Sequence, residues 1–251
     1  MPWNPEQYHK FQSERSAPFY DLLKLVEVRP QLTVVDLGCG TGELTRVLAD
    51  TLPNSQVTGL DSSHQMLEKA RAAAQANLHF EHGDLSHLQG TWDLIFSNAA
   101  IQWSENHQEL IPSLFSSLRP GGQLCVQIPS NHHHISHQLI RETAQEEPFK
   151  SILNGFERIS PVLSIDQYTE ILFRQNALRI TVFEKIYPHI LQNSDSVIEW
   201  ISGTALVPYF EKLGEHKPAF LEVLGRKMNK ALPENPLLYP FRRILFSAIK
   251  P

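Results

Sequence analysis

Along the first half of the chain, short apolar runs alternate with stretches whose apolar residues recur at helical spacing. Thr33–Leu37, Gln56–Leu60, Leu78–Glu81, Leu94–Ser97 and Gln123–Ile128 read as strands. The first is apolar at successive positions, the pattern of a parallel strand covered on both faces. Glu43–Leu52 and Ser63–Gln75 read as helices, with Leu44, Val47 and Leu48 on one stripe and Met66, Leu67, Ala70 and Ala74 on another. Ser62 or Ser63 is placed to cap the second of these. Strand and helix in alternation imply a parallel sheet with right-handed crossovers.

Beyond Pro129 the pattern changes. Ser136–Glu146, Ser164–Arg174, Asp195–Ser202 and Lys217–Ala231 read as helices, and Arg179–Ile186 and Arg243–Ile249 as two late strands. The long helical connection between those strands predicts a cap over the sheet, built mainly from Ser194–Pro240. The Pro-rich "LPENPLLYPFRR" reads as a rigid surface connection. Four regions follow: a helical lid at 1–30, a core at 31–193, the cap at 194–240 and a last core strand at 241–251.

Composition narrows the class. A chain of 251 residues can bury a substantial core, and 41% hydrophobic with 20% charged residues is ordinary for a soluble globular protein. The formal net charge of −5 argues against a general affinity for nucleic acid phosphates. Cys39 and Cys125, each in an apolar stretch, read as buried free thiols. Met1–Lys10 is polar and aromatic, unlike a signal peptide, and no apolar run approaches membrane-spanning length. A cytoplasmic protein with no membrane partner is expected.

The candidate chemistry begins at "VVDLGCGTG", where an apolar strand collapses into Gly38, Gly40 and Gly42. Glycines at a strand–helix junction mark a sharp turn or a close approach, and this junction lies at the carboxyl end of the sheet, the usual ligand crevice. Asp61 closes "QVTGLD", where a carboxylate can accept two hydrogen bonds from a ribose diol. Asp84 in "EHGDL" ends the third strand, where it or its neighbour Leu85 can meet an adenine. Together these describe a pocket for an adenosine moiety. The dinucleotide fingerprint is G-x-G-x-x-G, aimed at a pyrophosphate. Here the spacing is G-x-G-x-G, which disfavours an NAD-dependent oxidoreductase and needs no phosphate on the ligand. A non-catalytic reading, with the glycines serving tight packing alone, leaves Asp61 and Asp84 unexplained.

In this order "VVDLGCGTG", "LD", "GD" and "LRPGG" (Leu118–Gly122) resemble the class I S-adenosylmethionine-dependent methyltransferases. A closer resemblance runs outside that core. "WNPEQYHKFQSERSAPFYDLL", "SNAAIQW", "EWISGTALVPYFEKL" and "YPFRRILFSA" look like the trans-aconitate 2-methyltransferase family, with one departure, the three consecutive histidines of "NHHHISH". The resemblance implies a Rossmann-like α/β fold: a mostly parallel seven-stranded sheet with a helical cap between the last two strands. It implies S-adenosyl-L-methionine as cofactor, and methyl transfer to a carboxylate of a small polycarboxylic acid, trans-aconitate first, by a monomer. Another small-molecule methyltransferase and a non-catalytic cofactor-binding protein are the alternatives. The N/D-P-P-Y segment of nucleic acid amino methylation is absent, its place taken by "SNAAIQW".

That reaction requires no general base. A carboxylate acceptor is ionised at neutral pH, its unperturbed pKa being about 4. Alignment of the reacting atoms can supply roughly 7–11 kcal/mol, so no catalytic residue is expected in the acid–base sense. Cofactor contacts are expected from Arg15, Asp36, Gly38, Gly40, Gly42, Asp61, Asp84, Leu85 and Asn98. Asp36 can instead orient the glycine loop, and Arg15 can pair with a carboxylate on its own helix. Acceptor contacts are expected from Gln102 and Trp103 after the fourth strand, and from His132, Tyr209, Tyr239 and Arg242. Arginine suits the role because its planar fork binds carboxylate bidentately. Neighbours on a strand point to opposite faces, so only one of Arg242 and Arg243 can face a ligand, and a solvated pair is the alternative. Trp3 and Tyr8 are placed to close a lid. No metal is expected: the histidines lack companion cysteines or carboxylates.

Overall fold

The computed structural model describes residues 12–251, with side chains from residue 16 onward. Trp3, Tyr8 and the Arg15 side chain, all assigned to the lid or the cofactor, lie outside the described residues. A helix, α1 (Gln12–Leu23), precedes β1 (Thr33–Leu37), α2 (Glu43–Thr51), β2 (Gln56–Asp61), α3 (His64–Ala70), β3 (Leu78–His82), β4 (Trp92–Asn98), α4 (His107–Ser116) and β5 (Leu118–Pro129). Next come α5 (Ile135–Ala144), α6 (Phe149–Ile152), α7 (Ile165–Arg174) and β6 (Leu178–Leu191). The chain ends with α8 (Ser194–Ser202), α9 (Val207–Leu213), α10 (Lys217–Ala231) and β7 (Leu237–Ile249).

The strands form one seven-stranded sheet in the order β3-β2-β1-β4-β5-β7-β6. β1 to β5 pair in parallel, and β7 runs antiparallel to β5 with Cys125 opposite Ser247. This is the expected sheet, with α8, α9 and α10 between its last two strands. The central strands β1, β4, β5 and β7 are buried on both faces, whereas the edge strands β3 and β6 are largely exposed. Val35, Ile95, Leu124, Val126 and Phe246 pack into one apolar cluster, while Val34, Leu94, Phe96, Cys125 and Leu245 pack into another. Both cysteines are buried free thiols. Caps fall where the side chains allow: Ser63 Oγ accepts the Met66 N–H (3.3 Å) at α3, and Ser164 and Gln167 form a reciprocal capping box at α7.

The second half departs from the pattern in two ways. "LPENPLLYPFRR" is not simply a surface connection, because β7 begins at Leu237 within it. Leu237, Tyr239 and Phe241 are buried, alternating with exposed Leu238 and Arg242, and Pro240 removes only its own N–H from the strand. The two prolines ahead of the strand masked its period. Helices α4 and α9 also went unforeseen; α4 carries Pro112 inside it, a residue that normally signals a break.

The chain divides into two compact units. The core unit holds Arg15–Pro129, Pro161–Lys185 and Arg243–Pro251; the second unit includes Ser130–Ser160 and Ile186–Arg242. Ser130–Ser160, expected in the core, groups with the cap helices instead. The second unit has its own apolar centre, in which Leu139, Ile140, Trp200, Leu206, Tyr209, Phe220, Leu224 and Tyr239 are buried together.

Candidate functional site

At the carboxyl end of β1 the three glycines differ in what they face. A Cβ on Gly38 would lie 2.2 Å from the Ala100 Cβ, and one on Gly42 would lie 2.6 Å from the Phe80 ring. These two answer to the protein's own packing. Gly40 adopts φ +56°, and a Cβ there would meet nothing within 4 Å, so it alone borders open space. The loop amides turn inward: Gly38 and Cys39 N–H donate to the Leu60 carbonyl (2.7 and 3.0 Å) and Gly42 N–H to the Cys39 carbonyl (3.1 Å). Gly40 N–H donates to Asp61 Oδ2 at 2.9 Å. With these four donors consumed, the loop is not a phosphate cradle.

Asp61, at the end of β2, is held by that contact and by Ser63 N–H donating to Oδ1 at 2.8 Å. Each carboxylate oxygen keeps a further lone pair. The pinned group can therefore accept from both hydroxyls of a vicinal diol, which is the fit an adenosine ribose requires. Asp84 is exposed beyond β3; its Oδ1 accepts from Ser86 N–H (2.8 Å), and that bond holds its carboxyl below the usual range. Leu85 beside it is half-buried against the core cluster. Asp36 is buried, and Thr45 Oγ1 on α2 donates to its Oδ2 at 2.6 Å. Burial pushes its carboxyl up to about 7, with Thr45 opposing and the Asp61 charge adding to the rise. Its visible role is to tie β1 to α2 behind the glycine loop.

The end of β4 is clamped at several points. Ala99 sits at φ +55°, in the left-handed region that alanine rarely adopts and that tends to persist where a site demands it. Its N–H donates to the Gln127 carbonyl (3.0 Å), and its carbonyl accepts from Gln102 Nε2 (2.6 Å). The next turn is fixed by His107, which sequence reasoning missed. His107 Nε2–H donates to the Ile101 carbonyl (2.8 Å), so Nδ1 is the acceptor for the Tyr168 hydroxyl (2.5 Å). The Tyr168 oxygen in turn accepts from Leu163 N–H at 3.2 Å. Burial lowers the His107 pKa and raises that of Tyr168, keeping both neutral. Gln102 and Trp103 thus sit on a short 3-10 turn (Ile101–Trp103) held from behind.

Asn98, half-buried at the last position of β4, is tied to β5. With its amide oriented to satisfy both ends, Gln127 donates to Asn98 Oδ1 (2.8 Å) and accepts from Arg243 Nη1 (3.2 Å). Arg243 is buried, whereas Arg242 is exposed. The alternation of β7 separates the two arginines as expected, and the buried one is not the one assigned to the acceptor.

The remaining assigned residues belong to the second unit. Arg242 N–H donates to Asn131 Oδ1 (2.8 Å), which fixes its backbone against the turn that carries His132. Tyr239 is fully buried, its hydroxyl 3.3 Å from Ser136 Oγ. Tyr209 is buried too, and its hydroxyl accepts from Arg158 N–H at 3.1 Å. Both are anchors of the unit's core as well as polar groups. Among the described residues no three His, Cys, Asp or Glu side chains gather as a metal site. No helix among them is long and apolar enough to cross a membrane.

A family profile for a methyltransferase domain matches residues 29–177. The trans-aconitate 2-methyltransferase of Deinococcus radiodurans is 47% identical over 100% of this chain and 99% of its own length. Those of Azoarcus sp. and Agrobacterium fabrum are each 36% identical, covering 100% of both chains. Among solved structures, the YcgJ protein of Bacillus subtilis superposes with a TM-score of 0.63 at 15% identity, covering 93% of this chain and 98% of that one. The phosphoethanolamine N-methyltransferase 2 of Haemonchus contortus, solved with S-adenosyl-L-methionine, gives a TM-score of 0.57 at 19% identity over 94% of this chain and 52% of that one. At such identities the likeness is one of fold.

Proposed function

The chain belongs to the trans-aconitate 2-methyltransferase family, and from that premise we propose that it transfers a methyl group to a carboxylate oxygen of a small polycarboxylic acid, trans-aconitate first, giving a monomethyl ester. The similarity that supports this most is its extent. It covers the whole chain, including the second unit beyond the methyltransferase domain at 29–177.

When bound, S-adenosyl-L-methionine would supply a methyl activated on a sulfonium, which a carboxylate oxygen would take with loss of a neutral thioether. The chain's residues bind and orient. Asp61 would accept from the ribose diol, Gly40 leaves room beside it, and Asp84 and Leu85 would hold the adenine. Asp36, which burial raises to about 7, would be favoured in its ionised form by a cationic ligand nearby. The clamped turn at Ile101–Trp103 presents Gln102 and Trp103 to the acceptor in one conformation. A carboxylate is already ionised, so the site needs cations to hold the acid and no base to activate it.

Incubation with methyl-labelled cofactor and a panel of mono-, di- and tricarboxylates tests the reading. The expected product carries one label and releases methanol under mild alkali, as an ester does. A label stable to alkali would mean transfer to carbon or nitrogen and would overturn carboxyl methylation.

A further inference from the structure

The motif left unabsorbed is "NHHHISH" with the arginine that follows it. His132 and His133 lie in a 3-10 turn (Asn131–His133), His134 caps α5, His137 lies in the first turn of that helix and Arg141 in its last. Histidines are thus crowded at the positive end of a ten-residue helix, where the macrodipole disfavours added positive charge and favours anions, and Arg141 follows from its last turn. Other segments of the same unit add to the crowding. Arg141 Nη1 donates back to the His132 carbonyl (3.2 Å), and Arg158 N–H donates to the Tyr209 hydroxyl. The charges of Arg141 and Arg158 act on both Tyr209 and His137. Arg242 acts on His134.

The hydrogen bonds make this cluster a built arrangement and not a loose surface. Ser136 Oγ lies 2.9 Å from His134 Nδ1, 3.2 Å from His137 Nδ1 and 3.3 Å from the fully buried Tyr239 hydroxyl. His134 Nδ1 also accepts from Ser136 N–H (3.2 Å), so in the neutral ring Nε2 carries the proton and is a donor. Burial, then the neighbouring cations, keep His137 neutral down to about pH 3. Among the described residues, the acid Glu157 meets the cluster: its Oε1 lies 3.6 Å from Arg141 Nε and is partly exposed.

Resting on the acceptor reading above, we infer that His134, His137, Arg141 and Arg158 form an anion site in the second unit that takes a small acid with two or more carboxylates. The two guanidinium groups are separate forks for separate carboxylates, and the neutral imidazoles donate without adding charge. A monocarboxylate would fill only one fork. Glu157 competes with the ligand for Arg141.

Calorimetry of trans-aconitate, succinate and acetate, with S-adenosylhomocysteine present, is to be run on wild type, Arg141→Gln, Arg158→Gln and Glu157→Gln, beside steady-state kinetics. Each arginine variant should raise Kd and KM for trans-aconitate about 10–100-fold, the worth of one charged hydrogen-bonding partner. The effect should shrink from tri- to monocarboxylate, with cofactor affinity unchanged. Glu157→Gln should tighten trans-aconitate several-fold, a gain that a misfolded variant cannot mimic. Folded arginine variants within twofold of wild type, or a looser Glu157→Gln, would overturn the site. A wild type with no turnover on any polycarboxylate would instead overturn the acceptor reading, whatever the calorimetry shows.

Discussion

The two units solve different problems by different means. In the core unit the candidate rim is built around backbone: glycine amides bonded inward, a carboxylate pinned by two N–H groups, and a turn locked by a neutral histidine. In the second unit the candidate rim is made of charged side chains converging from α5, the Arg158 segment and β7. Backbone geometry suits one invariant ligand with a fixed shape. Side-chain cations suit recognition of charge number, and they can be changed without disturbing a strand–turn–helix junction. The lesson is that stability and specificity should respond to different mutations in the two units.

The strongest way to break the contrast lies within the glycine loop. Gly38→Ala places a Cβ against Ala100 at φ +72°, and should cost roughly 2–5 kcal/mol from overpacking and left-handed strain together. Gly40→Ala meets only open space and should cost about 1–2 kcal/mol, while weakening cofactor binding. Urea titration of both variants checks this; equal losses would mean the loop is not divided as described.

Asp36 comes next. Its carboxyl titrates at about 7 in the folded chain against an ordinary 3.8, so the folded state binds the extra proton. That stability is complete below pH 4 and is lost as pH rises through about 7. Asp36→Asn should therefore match wild type near pH 4 and exceed it by about 2–4 kcal/mol at pH 8, at the expense of cofactor affinity. Denaturant midpoints across pH would show the gap widening; a gap that narrows would refute the burial account.

His107 runs with the opposite sign. Its folded pKa lies below 6.5, so its contribution is present above 6.5 and lost as pH falls. His107→Leu removes the donor to Ile101 and should cost about 1–3 kcal/mol. His107→Gln keeps a donor and should recover much of the turnover number, with KM little changed in either variant. If both variants lose kcat alike, the histidine does not position the turn. The smallest effect is expected at Arg226–Glu222 on α10, an exposed pair worth less than about 0.5 kcal/mol. Its removal should leave acceptor binding intact, which separates surface charge from the Arg141–Arg158 cluster.

The chain's pattern alone carried the parallel strands, the cap of α3, the glycine loop, the placement of Asp61 and Asp84 at strand ends, and the family. Each of these is local: burial on two faces writes itself as an unbroken apolar run, and a tight turn writes itself as glycine. What stayed hidden joins residues far apart in the chain. Ala100 is the neighbour that makes Gly38 obligatory, and Tyr168 supplies the hydroxyl that donates to His107 Nδ1 from 61 positions away. The grouping of Ser130–Ser160 with the cap helices and the burial of Arg243 with Arg242 left exposed are likewise decided by packing. Periodicity reports which face of an element is covered, and only tertiary structure determines what covers it.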